Sequence, residues 1–380
     1  MKQKKLFRVT TVDLSLDVLL RGQLRFLNQY MEVVGVAADT GLLQGVARRE
    51  GIRVINVPMH REISLAADVK SLVALIRLFR RERPDIVHAN TPKGSLLALL
   101  AARLTGVPNR IYTVTGLRYQ GSKGLMRALL KTMERISCGC ATRVVPEGRG
   151  VLHTLQADHI TRKPLSVIYN GNINGIDTDY YAPQALPVSR EEARKKLDLE
   201  PDDFAFVFIG RIVADKGMNE LADCMRLLTE RYSRLKLILV GKFESELDPL
   251  QGDNEQYFRQ SGAVRFVGWQ TDARPFLLAA DALVFPSYRE GFPNVPMQAG
   301  AMGLPSIVTD INGCNEIVKD GLNGRIIRPR DTAALAEGMK WFLDHGADVE
   351  RMSRNCRRMI QERYEQRDVW NHLLEMYQNL

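Results

Sequence analysis

Short apolar runs rich in β-branched residues alternate along the chain with longer stretches in which apolar positions recur every three or four residues. The runs at 9–12, 33–37, 54–57, 86–89, 111–114 and 143–145 read as strands, each separated from the next by a helical pattern. The clearest helix covers 64–83. There Leu65, Val69, Leu72, Leu75, Ile76 and Phe79 recur at helical spacing, a basic end complements the carboxyl-terminal dipole, and Pro84 stops the helix. A second series starts at Phe204 and continues through 236–240, 264–267, 282–285, 306–308 and 325–327. Strands alternating with helices predict an α/β protein with parallel sheets covered on both faces.

At 380 residues and 45% hydrophobic content, the chain is long enough to bury two cores. Residues 170–201, rich in Gly, Asn, Asp and Pro, read as a linker that ends in a helix over 189–197. The boundary then falls at 170/171, and the active site is expected in the cleft between two doubly wound domains. Further helices are expected near 332–345, 348–364 and 366–380.

The densest punctuation lies at 288–318. A buried strand at 281–286 runs into a loop at 287–292, and Pro293 follows, where the first turn of a helix tolerates a missing N–H. A second strand, 306–309, ends in Asp310-Ile-Asn-Gly313, with a short helix from near Cys314. Two helix amino termini at one carboxyl edge make an anion site. Gly210-Arg211 leaves a strand and Lys216-Gly217 opens the next helix, which adds two cations suited to a diphosphate. The plain alternative is that Arg211 and Lys216 sit on a solvated loop.

Several motifs now act together. They are Glu290-Gly291-Phe292-Pro293 with a polar residue eight positions on, Gly303-Leu-Pro, Gly313-Cys-Asn-Glu316-Ile-Val, and Gly321-x-x-Gly324. To these add Gly210-Arg211-x-x-x-x-Lys216-Gly217, Val264-x-Phe266-x-Gly268, Ile168-Tyr-Asn170-Gly171 and the terminal Trp370 to Tyr377 segment. In this order they resemble glycosyltransferase family 4, of the bacterial capsule, O-antigen and oligosaccharide-assembly type. The resemblance implies the GT-B architecture of two Rossmann-like domains. Residues 1–170 would bind the acceptor and 171–365 the nucleotide sugar, with 366–380 returning to the first domain, anchored by Trp370 and Tyr377.

The resemblance also implies roles for single residues. Arg211 and Lys216 would neutralise the departing nucleotide, and Glu290 would hold the donor sugar's hydroxyls. Gly210, Gly268, Gly291, Phe292 and Asn294 would complete the donor side. Gln298 stands where the family carries a second acid on the ribose; an amide oxygen still accepts one hydrogen bond but lacks the charge. Gly22, His88 and Thr115 fall on the acceptor or sugar side. Several family members have histidine at the position of Thr115, and threonine cannot be a base. For His88, an ordinary hydrogen-bonded strand-end histidine is the competing interpretation. With no evident base, the resemblance implies retaining chemistry, in which the leaving phosphate oxygen takes the acceptor's proton. Asp177-Thr-Asp179 matches a metal-binding Asp-x-Asp only superficially, so neither metal nor cofactor is expected.

The implied activity is transfer of a hexose or N-acetylhexosamine from a nucleotide sugar, UDP-linked, to a polyprenyl-diphosphate-linked sugar. An epimerase on the same architecture and a catalytically silent binding subunit are the alternatives. A dehydrogenase is disfavoured, because the first strand is followed by Asp13-Leu-Ser-Leu-Asp-Val without the glycine fingerprint.

The net charge of +9 suits nucleic acid, an anionic membrane or a phosphorylated ligand. The aromatics are not interleaved with the basic residues as a stacking platform requires, so nucleic acid is not expected. Five scattered cysteines argue for a reducing compartment, and Cys138-Gly-Cys140 has no ligand-spaced partners. A basic head, Lys2, Lys4 and Lys5, precedes an apolar run interrupted by Arg8, Asp13 and Asp17, which predicts a first strand and no signal peptide. No run approaches the roughly 20 apolar residues of a spanning helix. These features predict a cytoplasmic protein held at the inner face of the cell membrane. The segment 121–136, with Leu125, Met126, Leu129, Leu130 and Met133 on one side and Lys123, Arg127, Lys131 and Arg135 on another, has the pattern of an interfacial helix. A core-facing helix with a solvated basic face is the alternative; the resemblance, which implies that lipid-linked acceptors arrive at this edge, favours the interfacial reading.

Overall fold

The computed structural model describes residues 4–60, 64–246 and 248–380; Lys2 of the basic head lies outside them. The chain divides into two compact units, Met1–Gly175 with Gln366–Leu380, and Ile176–Glu365.

The first unit carries β1 (Lys5–Val12), α1 (Asp13–Leu19), α2 (Gln23–Leu27), β2 (Glu32–Ala38), α3 (Leu43–Glu50), β3 (Arg53–Asn56), α4 (Leu65–Glu82), β4 (Ile86–Ala89), α5 (Pro92–Leu104), β5 (Asn109–Val114), α6 (Gly124–Cys140), β6 (Arg143–Pro146) and α7 (Arg149–Ala157). Its parallel sheet has the order β3-β2-β1-β4-β5-β6. Alternation within each strand supplies both faces. Leu6, Ile86, Ile111 and Val145 pack under the α1–α3 side, and Phe7, Val34 and Val87 pack against Leu75 and Phe79 of α4 and Ala98 of α5. Tyr112 and Val144 meet Leu130 and Cys138 of α6.

The second unit continues with α8 (Arg190–Lys195), β7 (Phe204–Ile209), α9 (Met218–Thr229), β8 (Leu235–Val240), α10 (Asn254–Gln260), β9 (Val264–Gly268), α11 (Arg274–Ala279), β10 (Ala282–Phe285), α12 (Asn294–Ala301), β11 (Ser306–Thr309), α13 (Cys314–Ile317), β12 (Gly324–Ile327), α14 (Thr332–Asp344) and α15 (Gly346–Tyr364). Its sheet runs β12-β11-β10-β7-β8-β9. Ser189 caps α8 in a complete capping box with Glu192.

The last helix, α16 (Gln366–Gln378), belongs to the first unit. Trp370 stacks on Phe26 with centroids 5.4 Å apart and donates its Nε1–H to Asn174 Oδ1 at 2.7 Å. Gln23 Nε2 reaches the same oxygen at 3.2 Å. These bonds tie Asn174 to the first unit and carry it past the expected 170/171 boundary.

Two amphipathic helices carry exposed apolar residues. On α4, Leu65 is 82% exposed and Val69 59%, while Ser71, Leu75, Leu78 and Phe79 make the buried side. On α6, every residue from 123 to 129 is exposed, and Leu125 reaches 91%. Leu130, Glu134, Ser137 and Cys138 hold the rest of that helix down. Among the described residues no helix is long and apolar enough to cross a membrane.

Candidate active site

In the second unit β7 lies between β8 and β10, so the chain leaves β7 in one direction and returns to its other side at β10. Ligands of open parallel sheets collect outside the carboxyl ends of strands at such a switch point. The loops after β7 and β10 carry the residues singled out in the sequence.

Two glycines bring these loops together. Gly217 has φ +73°, and a Cβ there would lie 2.1 Å from the Pro286 carbonyl oxygen, so only glycine lets the β7 loop touch the β10 loop. Gly313, φ +74°, would set a Cβ 2.7 Å from both the Gly291 oxygen and the Phe292 Cα. The Asp310-Ile-Asn-Gly313 turn after β11 thereby closes on the same point.

Lys216 Nζ and Glu290 Oε1 form an ion pair at this meeting of loops. Ser287, fully buried, donates its hydroxyl to the same Glu290 oxygen at 2.8 Å, and the Thr309 hydroxyl donates to the Ser287 carbonyl. Cys314, at the start of α13, lies close by; burial pushes its thiol well above the usual range, Glu290 adds to the effect, and Lys216 offsets part of it. Arg211 is engaged by Glu244, Nη1 to Oε2 at 3.0 Å, with its side chain half exposed. Asn294 opens α12 and Gln298 lies one turn on, half-buried. Gly268 ends β9 at φ +70°, and Gly291 and Phe292 close the β10 loop. The structure thus joins Lys216 to Glu290, while Arg211 has a carboxylate of its own.

Gly22, His88 and Thr115 belong to the first unit. His88 is fully enclosed, with Nδ1 2.5 Å from the Tyr377 hydroxyl and Nε2 2.6 Å from the Thr113 hydroxyl. Arg8 Nη1 donates to the Tyr377 oxygen at 3.1 Å. Arginine can only donate, so the Tyr377 oxygen accepts from Arg8 while it also bonds His88 Nδ1. Burial, then the Arg8 charge, hold the imidazolium form far below its usual range. Both ring nitrogens are occupied, which is the ordinary strand-end histidine considered above. Thr115 donates to the Asn90 carbonyl at 2.8 Å. Gly22, φ +79°, faces the Trp370 indole, which a Cβ would approach to 2.7 Å.

Arg8 registers in the sequence only as an interruption of an apolar run. It is fully buried, its Nε and Nη2 have no hydrogen-bond partner among the described residues, and it lines a small cavity with His88, Thr113 and Glu147. Asp177 Oδ1 accepts the Tyr180 N–H at 2.8 Å, a local turn. Among the described residues no group of three or more His, Cys, Asp or Glu is placed to hold a metal ion.

Residues 25–171 match the family model for the glycosyl transferase 4-like domain, and residues 189–359 match the model for glycosyl transferases group 1. The capsular polysaccharide biosynthesis glycosyltransferase CapM of Staphylococcus aureus is 31% identical over 378 residues, 99% of this chain and 97% of that protein. The Escherichia coli UDP-Gal:alpha-D-GlcNAc-diphosphoundecaprenol alpha-1,3-galactosyltransferase is 29% identical over 82% of this chain and 80% of its own length. Among solved structures, Anabaena Alr3699/HepE in complex with UDP superposes with a TM-score of 0.82 at 18% identity, with both chains fully covered. That last likeness shows the fold.

Proposed function

This chain belongs to the group 1 glycosyltransferases and has the GT-B fold, and on that premise we propose that it is a retaining hexosyl- or N-acetylhexosaminyltransferase that uses a UDP-linked donor and a lipid-diphosphate-linked glycan acceptor. The observation that carries the proposal is the Lys216–Glu290 pair at the switch point of the second sheet. A cation for phosphate and a carboxylate for sugar hydroxyls, in contact across two loops, match the two ends of a sugar diphosphate. Arg211 supplies a second cation, released from Glu244 as the diphosphate takes its place.

In this reading the protein chiefly positions groups and stabilises charge. Lys216 and Arg211 meet the negative charge that builds on the departing diphosphate, the type of interaction that gains strength in the transition state. Glu290, oriented by Ser287, holds the sugar. Gln298 accepts one ribose hydroxyl. The leaving phosphate oxygen removes the acceptor proton on the face it departs from, so the new bond keeps the donor's anomeric configuration. Two fixed cations serve here in place of a metal ion.

The relatives support this acceptor class, one being named for a diphosphoundecaprenol substrate and another for capsular polysaccharide biosynthesis. An acceptor held in a bilayer calls for a docking surface. The exposed start of α6 fits that need: Leu125, Met126 and Leu129 project outward beside Lys123 and Arg127, and no exposed position of α6 carries an acid. The protein is therefore read as a peripheral enzyme on an anionic membrane face.

Thermal unfolding against a panel of sugar nucleotides tests the donor assignment. A ligand at about 100 times its Kd adds about 2.7 kcal/mol to the folded state. UDP-sugars are expected to raise the midpoint and Lys216→Ala to abolish the rise; no response to any sugar nucleotide would contradict the proposal.

A further inference from the structure

Tyr288 stands two residues before Glu290, and its hydroxyl lies 2.6 and 2.7 Å from the two carboxylate oxygens of Glu220. Glu220 is in the first turn of α9, the helix that opens directly after Lys216 and Gly217. This hydrogen bond therefore runs from the loop that bears Glu290 to the helix that fixes Lys216. Burial, then the Glu220 hydrogen bond, push the Tyr288 phenol far above its usual range, so it remains a donor at every working pH. The bond is charge-assisted, which is the stronger and more directional class.

Neighbouring contacts follow the same path. The Tyr288 N–H donates to the Asp215 carbonyl at 2.9 Å, and Arg289 Nη2 pairs with Asp215 Oδ2 at 2.8 Å. Asp215 N–H in turn donates to Asp248 Oδ2 at 2.7 Å. The Arg330 guanidinium covers the Tyr288 ring at 4.6 Å from its centroid. The Arg289–Asp215 pair is partly exposed and weak by itself. The Tyr288–Glu220 bond is half-buried and joins side chains 68 residues apart.

We propose that Tyr288 and Glu220 form a latch that keeps Glu290 in register with Lys216, so that sugar and diphosphate are gripped in one geometry. Both are positioning residues, since they act through Glu290 and Lys216 and touch no reacting atom. The proposal rests on the reading that Glu290 meets the donor sugar. It adds that the approach of the two loops is maintained by a dedicated side-chain bond. Misplacing a positioning group by about an ångström costs up to roughly a hundredfold in rate.

The test uses the full chain with Tyr288→Phe, Glu220→Gln, Glu220→Ala and the double variant Tyr288→Phe/Glu220→Ala. Tyr288→Phe and Glu220→Ala are expected to lower kcat about tenfold or more, with the Kd for UDP within about twofold of wild type. The ratio of UDP-sugar to UDP affinity is expected to fall in parallel. Glu220→Gln keeps an acceptor for the phenol and is expected to retain most of the activity. The double variant is expected to be no worse than either single one, because both remove the same bond. Wild-type kcat and donor discrimination in Tyr288→Phe would overturn the latch alone, as would a loss of kcat matched by losses of UDP affinity and thermal stability. A wild-type protein that binds UDP-sugars no differently from UDP would overturn the functional reading and the latch with it.

Discussion

Glu134 lies on the buried side of α6, 5% exposed, and accepts the Tyr112 hydroxyl on Oε2 at 2.7 Å. Burial pushes its carboxyl up to about 7, against an ordinary 4.5, with the Tyr112 bond offsetting part of the rise. A carboxyl whose folded-state pKa is raised keeps its proton after the unfolded chain has lost it. The folded state therefore binds more protons between pH 4.5 and 7, and stability falls as pH rises through that window. At 1.36 kcal/mol per unit, the gap amounts to about 3 kcal/mol at pH 8. Glu134→Gln removes the titration and leaves an amide oxygen to accept the Tyr112 proton. Urea unfolding of wild type and variant at pH 5 and pH 8, followed by a probe in the first unit, measures the effect. The variant is expected to gain about 2.5 kcal/mol relative to wild type between pH 5 and pH 8, spread nearly evenly from pH 5 to pH 7 and levelling off above it. Parallel pH profiles for the two proteins would refute the argument, and with it the assignment of Glu134 as a carboxyl held neutral beneath α6.

Three further outcomes follow from the site. Glu290→Gln is expected to cripple transfer while UDP affinity, read by calorimetry, stays near wild type, because under the proposed function the residue meets the sugar and not the nucleotide. Gln298→Glu is expected to tighten UDP binding by about 1 kcal/mol through a charge-assisted bond to the ribose, and unchanged affinity would remove Gln298 from that position. Lys123→Glu with Arg127→Glu is expected to weaken co-sedimentation with anionic vesicles by about 1 kcal/mol per cation removed at low salt, with neutral vesicles little affected. Lys131 is left out of that test because it pairs with Asp158 at 2.6 Å.

The pattern of apolar runs placed the strands well because a parallel strand covered on both faces is apolar along its whole length. The β4 and β10 runs, Ile86–Ala89 and Ala282–Phe285, are buried at every position. Periodicity does not say which apolar stripe finds a partner. Leu65 and Val69 repeat at helical spacing with Leu72 and Phe79, yet they face solvent, while α4 packs through Leu75, Leu78 and Phe79. Long-range polar bonds were hidden for a related reason. His88 and Tyr377 are 289 residues apart, and nothing local to His88 announces a hydroxyl on each ring nitrogen. Arg8 offers a signal in retrospect, since a charge inside an otherwise apolar strand must be paired or must line a cavity. The Lys216 and Glu290 loops could be read because strand ends, glycines and helix starts mark them. Their direct pairing could not, since it depends on the strand order that sets β7 beside β10.

The central claim is transfer with retention from a sugar nucleotide, driven by charge stabilisation from Arg211 and Lys216. Its most direct test is to supply a UDP-sugar with a short-chain lipid-diphosphate-linked acceptor, follow UDP release, and assign the anomeric configuration of the product by NMR. The account predicts UDP release only with acceptor present, a product that keeps the donor's configuration, and a loss of about a hundredfold or more in kcat/KM for Arg211→Ala and for Lys216→Ala. Acceptor-independent nucleotide release, an inverted product, or near-wild-type turnover in both variants would contradict it.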